Sequence, residues 1–457
     1  MAADIREKHL MTKQRKTETS AVKVIGAGLA GCEAAWQLAR RGISVELYEM
    51  KPHKKTPAHT HDGMAELVCS NSLRSGDLTC GVGLLKEEMR RIGSLIMEAA
   101  DATKVSAGGA LAVDREAFSA YITDKISADP EIRVIHGEVT SIPDDGICIV
   151  ATGPLTSDAM AESVSDFVGG KKLSFYDAAA PIVEFSSIDM SKAFFASRYD
   201  RGTPDYINCP MNESEYRAFY NALKNAECAH LHDFEQDGGL QVFEGCMPVE
   251  VMAERGEDTL RFGPMKPVGI HNPETGESYY AVVQLRRENE EGTMFNIVGF
   301  QTHLTFPEQR RVFGMIPGLE NASFFRYGVM HRNTFINSPG ILGEDFSAIS
   351  KPGLYFAGQM TGVEGYIESA ASGMVAGISA ARRALGLAPV RFPDTTMTGA
   401  MCRFVSMGTE GDFQPMNANF GLIARPDKKI RGGKRARREY YAARALETLD
   451  GILANGI

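Results

Sequence analysis

A short β-branched run, Ala21-Val22-Lys23-Val24-Ile25, leads directly into Gly26-Ala27-Gly28-Leu29-Ala30-Gly31, and a helical pattern from Cys32 to Arg41 stops at Gly42. A second strand-like run, Ile43 to Tyr48, ends at Glu49, 18 residues after the last glycine. Few architectures use strand, glycine turn, helix and strand in this order; the pattern predicts a Rossmann-type α/β unit built to hold a dinucleotide. Gly26 permits the tight turn, Gly28 lets a pyrophosphate approach the backbone, and Gly31 lets helix and strand pack closely. The helix start offers N–H groups and the positive end of its dipole to phosphates. Glu49 is placed to accept hydrogen bonds from an adenosine ribose. Gly26, Ala27, Gly28, Leu29, Ala30, Gly31 and Glu49 are therefore candidate cofactor-binding residues.

No second G-x-G-x-x-G follows, so one site must serve one tightly held cofactor. Two later segments favour FAD over NAD. Ile147 to Gly153 reads as a buried strand closing on Ala-Thr-Gly; Gly353 to Gln359 reads as another, ending at Gly358, followed by a turn from Gly362 to Gly365 and a small-residue helix from Glu368 to Arg383. Gly358 and Gly365 join the cofactor-binding candidates. About 200 residues separate the two segments, a spacing that fits an inserted rather than appended domain. The expected fold class is α/β: a Rossmann-like FAD-binding domain interrupted by a smaller α+β insertion domain. Its parts would be a polar N-terminal extension (1–20), a first FAD-binding part (21–178), the insertion (179–328), and a second FAD-binding part with a basic C-terminal segment (329–457).

Hydrophobic residues make up 44% of the 457 and charged residues 23%, which excludes wholesale disorder and fibrous repeats. No apolar run reaches the length needed to cross a bilayer, and the first twenty residues lack the apolar core of a signal peptide, so a cytoplasmic protein is expected. The eight cysteines form no Cys-x-x-Cys, disfavouring zinc ribbons, thioredoxin-type pairs and a disulfide framework. His59 and His61 beside Asp62, and His230-x-His232, lack a third ligand at a metal-site spacing, so no metal is expected. The formal net charge is −9, which by itself argues against a nucleic-acid ligand. Its distribution says more. Between Arg425 and Arg444 lie nine Lys/Arg against two acids, a local +7 that leaves −16 on the other 437 residues. Such a block is either a solvated helix face or a grip on phosphates.

Several motifs together resemble the folate- and FAD-dependent tRNA uracil-5-methyltransferases (TrmFO). They are Lys55-Thr56-Pro57-Ala58-His59, Glu66 to Arg74 with Cys69-Ser70-Asn71-Ser72 at its centre, Phe243-Glu244-Gly245-Cys246-Met247-Pro248, Gly263 to Gly269, Val298 to Thr302, and Gly365-Tyr366-Ile367-Glu368-Ser369. The resemblance spans about Ala21 to Gly421 and extends more loosely to larger flavoproteins that modify wobble uridine; the polar extension departs from it. It implies methylation of carbon-5 of a T-loop uridine in tRNA, with FAD, 5,10-methylenetetrahydrofolate, and NADH or NADPH as reductant. It also implies that Cys246 is the principal covalent residue and Cys69 the second catalytic thiol. Cys69 precedes Ser70-Asn71-Ser72, whose backbone N–H groups are expected to lower its pKa as a helix start would. Tyr366 would stack on the flavin, the pterin or a flipped base, or else cap a helix within the core. Asp114 is expected to cap a helix, with Arg115 reaching the cofactor. Lys428, Lys429, Arg435 and Arg437 would contact tRNA phosphates.

Three alternatives stay open at this level: the same chemistry on ribosomal RNA, a flavin-retaining RNA-binding or assembly protein without methyl transfer, and a small-molecule flavin oxidoreductase. The retained Cys69 and Cys246 argue against the second, and the basic block against the third.

Overall fold

The computed structural model describes residues 20–56, 58–170, 172–178, 180–200, 202–229, 247–328, 330–407, 413–426 and 430–457, with the backbone alone for 172–178 and 330–334. Cys246, His230, His232, Lys428 and Lys429 lie outside the described residues. In chain order the strands are β1 (Val22–Ile25), β2 (Val45–Glu49), β3 (Ser72–Ser75), β4 (Lys104–Val105), β5 (Ala110–Val113), β6 (Ile132–His136), β7 (Cys148–Val150), β8 (Lys172–Ala178), β9 (Ile182–Glu184), β10 (Phe194–Ala196), β11 (Tyr206–Met211), β12 (Ala281–Arg287), β13 (Met294–Ile297), β14 (Phe324–Arg326), β15 (Met330–Ile336) and β16 (Leu354–Phe356).

Five of them form a parallel sheet in the order β16-β7-β1-β2-β6. Strands β7 (Cys-Ile-Val) and β16 (Leu-Tyr-Phe) are buried throughout and read as the continuous apolar runs of a parallel sheet, whereas Lys23 in β1 and Glu46 and Tyr48 in β2 are only half-buried. The helix Leu29–Ala39 packs on it and against a long helix, Tyr366–Ala384. Small residues make that approach possible: a Cβ on Gly373 would lie 2.1 Å from the Ala30 carbonyl oxygen, and one on Gly377 would lie 2.6 Å from that of Ala34. The second flavin-type helix predicted from the sequence is thus the partner of the first, across 340 residues of chain. Asp114 caps the helix Arg115–Ala128 as expected, accepting from the Glu116 and Ala117 amides at 3.1 and 2.9 Å.

A six-stranded antiparallel sheet, β10-β11-β12-β13-β9-β14, has its own apolar core around Phe219, Phe295, Phe300 and Phe313. It is entered through β8 and left through β15, which pair with each other over seven residues. This mixed α/β architecture, a parallel dinucleotide-type sheet with an intervening α+β unit, is the expected fold class.

Candidate active site

The turn after β1 opens on a cleft of about 1350 Å³, its open mouth included. Gly26 has φ +98° and donates its N–H to the Tyr48 carbonyl at 2.8 Å; a Cβ there would lie 2.6 Å from the Ala151 carbonyl oxygen. A Cβ on Gly31 would strike the Gly26 carbonyl at 1.8 Å, so this glycine serves packing and does not line the cleft. Gly28 has nothing within 4 Å of where its Cβ would be, nor has Gly153, and both line the cleft. These two positions leave the backbone open to a pyrophosphate. Glu49 ends β2 at the same cleft. Its Oε2 accepts from the Ala27 amide and its Oε1 from the Lys51 amide, both at 2.9 Å, leaving one lone pair on each oxygen for ribose hydroxyls. Leu29, Ala30, Gly137 to Val139 and Thr152 to Ser157 complete that part of the wall, and Gly358 and Gln359 bound it elsewhere. The residues fit FAD. Gly365 sits just outside the lining, at φ +117° behind Tyr366, where a Cβ would meet the Glu368 carboxylate at 2.3 Å.

Cys69 and Tyr366 line the same cleft. The Tyr366 hydroxyl accepts from the Cys69 amide at 2.7 Å and the Ser70 amide at 3.1 Å, joining residues 297 positions apart. Burial, and next the neighbouring Cys69, push the phenol pKa well above its ordinary value, so it stays protonated. With both lone pairs engaged, its proton is the function left to offer. Of the three amides after Cys69 expected to act on its thiol, those of Ser70 and Ser72 have other acceptors. The Ser70 N–H goes to Tyr366, the Ser72 N–H goes to Ser70 Oγ at 3.1 Å, and Ser72 opens a strand rather than a helix. The cations near this thiol are instead two guanidinium groups, Arg115 and Arg326, which interact electrostatically with both Cys69 and Tyr366.

Arg115 also departs from expectation. It does not line the cleft; it holds the Leu67 carbonyl at 2.6 Å and Glu288 Oε2 at 2.8 and 3.1 Å. Glu288 stands at the exit of β12 in the inserted sheet, and Arg286, on β12 itself, donates to Asn71 Oδ1 at 3.1 Å and Ser70 Oγ at 2.7 Å. Asn71, fully buried, returns its amide to the Val113, Arg287 and Glu288 carbonyls. The insertion therefore grips the Cys69 loop through three successive residues, Arg286, Arg287 and Glu288, along β12 and its exit. A buried ion pair, Lys51 with Glu66 at 3.8 Å, and His59 also line the cleft. Sequence reading missed Lys51, Arg326, Arg286 and Glu288 because nothing in their local spacing marks them.

Within the insertion, His303 Nδ1 lies 2.5 Å from Glu250 Oε1, with Cys228 alongside. These three are the one group among the described residues with metal-ligand atoms within 4.8 Å of each other. Two ligands of one zinc ion stand roughly 3.3 Å apart at ordinary bond lengths; the 2.5 Å contact is that of an ion pair with a protonated His303. It braces the helix Val249–Glu254: Glu250 accepts from Thr302 Oγ1 and the His303 amide, and the Val249 amide donates to the Gln301 carbonyl.

The chain matches the family described as Glucose inhibited division protein A over residues 21–388. The methylenetetrahydrofolate--tRNA-(uracil-5-)-methyltransferase TrmFO of Acetivibrio thermocellus is 61% identical over 428 residues, 94% of this chain and 97% of that protein. Its counterpart in Lactobacillus delbrueckii subsp. bulgaricus is 59% identical over 437 residues, 95% and 99% of the two chains. The chain belongs to the TrmFO family. The fold agrees: GidA of Aquifex aeolicus superimposes with a TM-score of 0.68 at 17% identity, covering 94% of this chain and 76% of that one.

Of the basic block of this TrmFO-family chain, Arg435 and Arg437 are exposed near the start of the helix Gly433–Ala454. That helix is seated through Tyr441, Ala445 and Leu449 and an Arg91–Asp450 ion pair at 2.6 Å. Asp77, eight residues beyond Cys69, has its carboxyl held below the usual range, chiefly by the Thr79 amide and in smaller part by Arg435 and Arg438. The basic helix thus begins beside the loop that follows Cys69.

Proposed function

We propose that this protein methylates carbon-5 of a uridine in the tRNA T-loop, forming ribothymidine, with 5,10-methylenetetrahydrofolate as one-carbon source and NADH or NADPH as reductant. The observation that carries the reading is the meeting, in one cleft, of an FAD-shaped backbone cradle with Cys69 and Tyr366, in a chain 56–61% identical to enzymes named for this reaction. Bound FAD and folate supply the one-carbon unit and the reducing electrons. The chain's own residues do the rest. Gly28 and Gly153 leave room for the pyrophosphate and Glu49 takes the ribose. Carbon-5 of uracil becomes nucleophilic once a thiolate adds to carbon-6; Cys246 is our candidate for the covalent thiol and Cys69 for the second. Arg115 and Arg326 favour a thiolate at Cys69. Tyr366 fixes the Cys69 backbone, and at the cleft wall its hydroxyl has one proton left to donate.

The basic block is our candidate tRNA contact: Arg435 and Arg437, with Lys428 and Lys429 beside them in sequence, would hold phosphates while the uridine is extruded into the cleft. No described helix is long and apolar enough to cross a membrane, which accords with a cytoplasmic enzyme. The deciding experiment supplies the FAD-loaded enzyme with methylenetetrahydrofolate and NADH or NADPH, and compares unmodified tRNA with ribosomal RNA transcripts. Ribothymidine in the tRNA alone is expected; methylation confined to ribosomal RNA, or to neither, overturns the reading.

A further inference from the structure

The open edge of the inserted sheet carries an arrangement that the mechanism above does not use. Phe306, Tyr327 and Phe324 form a three-ring stack, with centroids 4.6 and 5.0 Å apart and ring planes within 17° and 14° of parallel. Phe324 lies on β14, the edge strand, and packs against the sheet's core. Phe306 begins the helix Phe306–Phe313 and is 50% exposed. The exposed guanidinium of Arg310, one helical turn on, lies 5.4 Å from the Tyr327 ring.

The stack is rigidly mounted. Gln309, fully buried, donates to the Leu304 and Gly328 carbonyls at 2.8 and 2.9 Å and accepts from the Gly328 amide at 2.8 Å. That clamp ties the helix bearing Phe306 to the segment bearing Tyr327. Arg326, between Phe325 and Tyr327 in the chain, reaches the Ala58 carbonyl at 3.4 Å and interacts with Cys69 and Tyr366 in the cleft. A ring ladder anchored in the core, ending in water, with a cation beside it and the active site one residue away has the makings of a single-strand stacking surface.

We propose that the Phe306–Tyr327–Phe324 stack is a platform on which an unpaired base of the RNA substrate stacks, with Arg310 holding an adjoining phosphate. The proposal rests on the tRNA reading above and adds the surface that would keep the loop open once its uridine has left. An RNA loop fits better than a protein partner because a ring already held parallel in a ladder, with a cation beside it, offers a base a flat face and a phosphate a charge.

The test uses the FAD-loaded enzyme with Phe306→Leu, Phe306→Trp and Arg310→Gln, and an unmodified T-arm hairpin with 2-aminopurine in its loop. Reduction of the bound flavin by NADH or NADPH without RNA checks that each variant is intact. Phe306→Leu is expected to weaken hairpin binding by roughly tenfold, within the range of base–aromatic stacking, and to relieve the 2-aminopurine quenching. Phe306→Trp should restore both, and Arg310→Gln should reduce the salt slope by about one ion. Hairpin affinity unchanged in Phe306→Leu, failure of Phe306→Trp to restore it, or a loss of methylenetetrahydrofolate affinity with hairpin affinity intact would each overturn the platform. A wild-type enzyme that binds no RNA would instead overturn the functional reading on which it rests.

Discussion

Replacing Tyr366 by Phe isolates what its hydroxyl does, because the ring and its packing are kept. The oxygen is the acceptor for two backbone amides, those of Cys69 and Ser70, at 2.7 and 3.1 Å. A buried donor left without a partner costs about 1–3 kcal/mol, so two would cost about 2–6 kcal/mol if the loop stayed in place. The loop is only half-buried, and turning the amides to water recovers part of this; about 2–3 kcal/mol should remain. At about 2.1 cal/mol/K per residue, a 457-residue chain melting as one unit loses roughly 1 kcal/mol per degree, so Tm should fall by only ~2–3 °C. The larger consequence is kinetic. A thiol displaced by about 1 Å from its productive position loses on the order of a hundredfold in rate. The variant should stay yellow, keep FAD, show Cys69 alkylated faster by iodoacetamide, and methylate tRNA ~100-fold more slowly. Methylation and alkylation rates equal to wild type would refute the reasoning.

Cys246→Ala should fold, bind FAD and lose methyl transfer, as read by ribothymidine formation; full activity would remove Cys246 from the covalent step. Neutralising Lys428, Lys429, Arg435 and Arg437 together should weaken tRNA binding and flatten its dependence on salt; an unchanged slope would return the block to a solvated helix face. At His303, burial lowers the imidazole pKa, but hydrogen bonds to Cys228 and Glu250 outweigh it and raise the group to about 10. A base raised above its unfolded value of 6.5 contributes stability that is complete below pH 6.5 and lost as pH rises through about 10. Thermal melts from pH 6 to 10 should therefore show a steeper decline for wild type than for His303→Gln, and parallel curves would contradict the ion pair.

The dinucleotide half of the site was legible in the sequence because its demands are local. A turn that must pass Gly26 at φ +98° and seat Gly31 against a carbonyl restricts residue choice within thirty positions. The Cys69 loop is held by long-range contacts instead: Asn71 meets Arg286 across 215 residues, and Tyr366 meets Cys69 across 297. No spacing rule reaches that far, so Arg286, Glu288 and Arg326 went unnoticed. The same gap misdirected the reading of the Ser70 and Ser72 amides, whose acceptors are visible only once the chain is folded. Arg115 looked like a cofactor contact by position in the chain, and folding turned it toward Glu288.

The pairing of β8 with β15 has a consequence for how such a molecule changes over evolutionary time. Seven residues of entry strand lie against seven of exit strand, so to the parallel sheet the whole inserted unit is topologically a hairpin, its ends one strand spacing apart. Closing a longer or shorter insert across that gap alters chain entropy by only about 0.6 kcal/mol per doubling of length. Substrate-facing architecture can therefore be exchanged wholesale while the dinucleotide cradle stays as it is. What cannot be exchanged freely is the short seam of Asn71, Arg286, Glu288 and Arg115. Any replacement unit must re-create it, or it will bring RNA to a cleft whose thiol faces elsewhere.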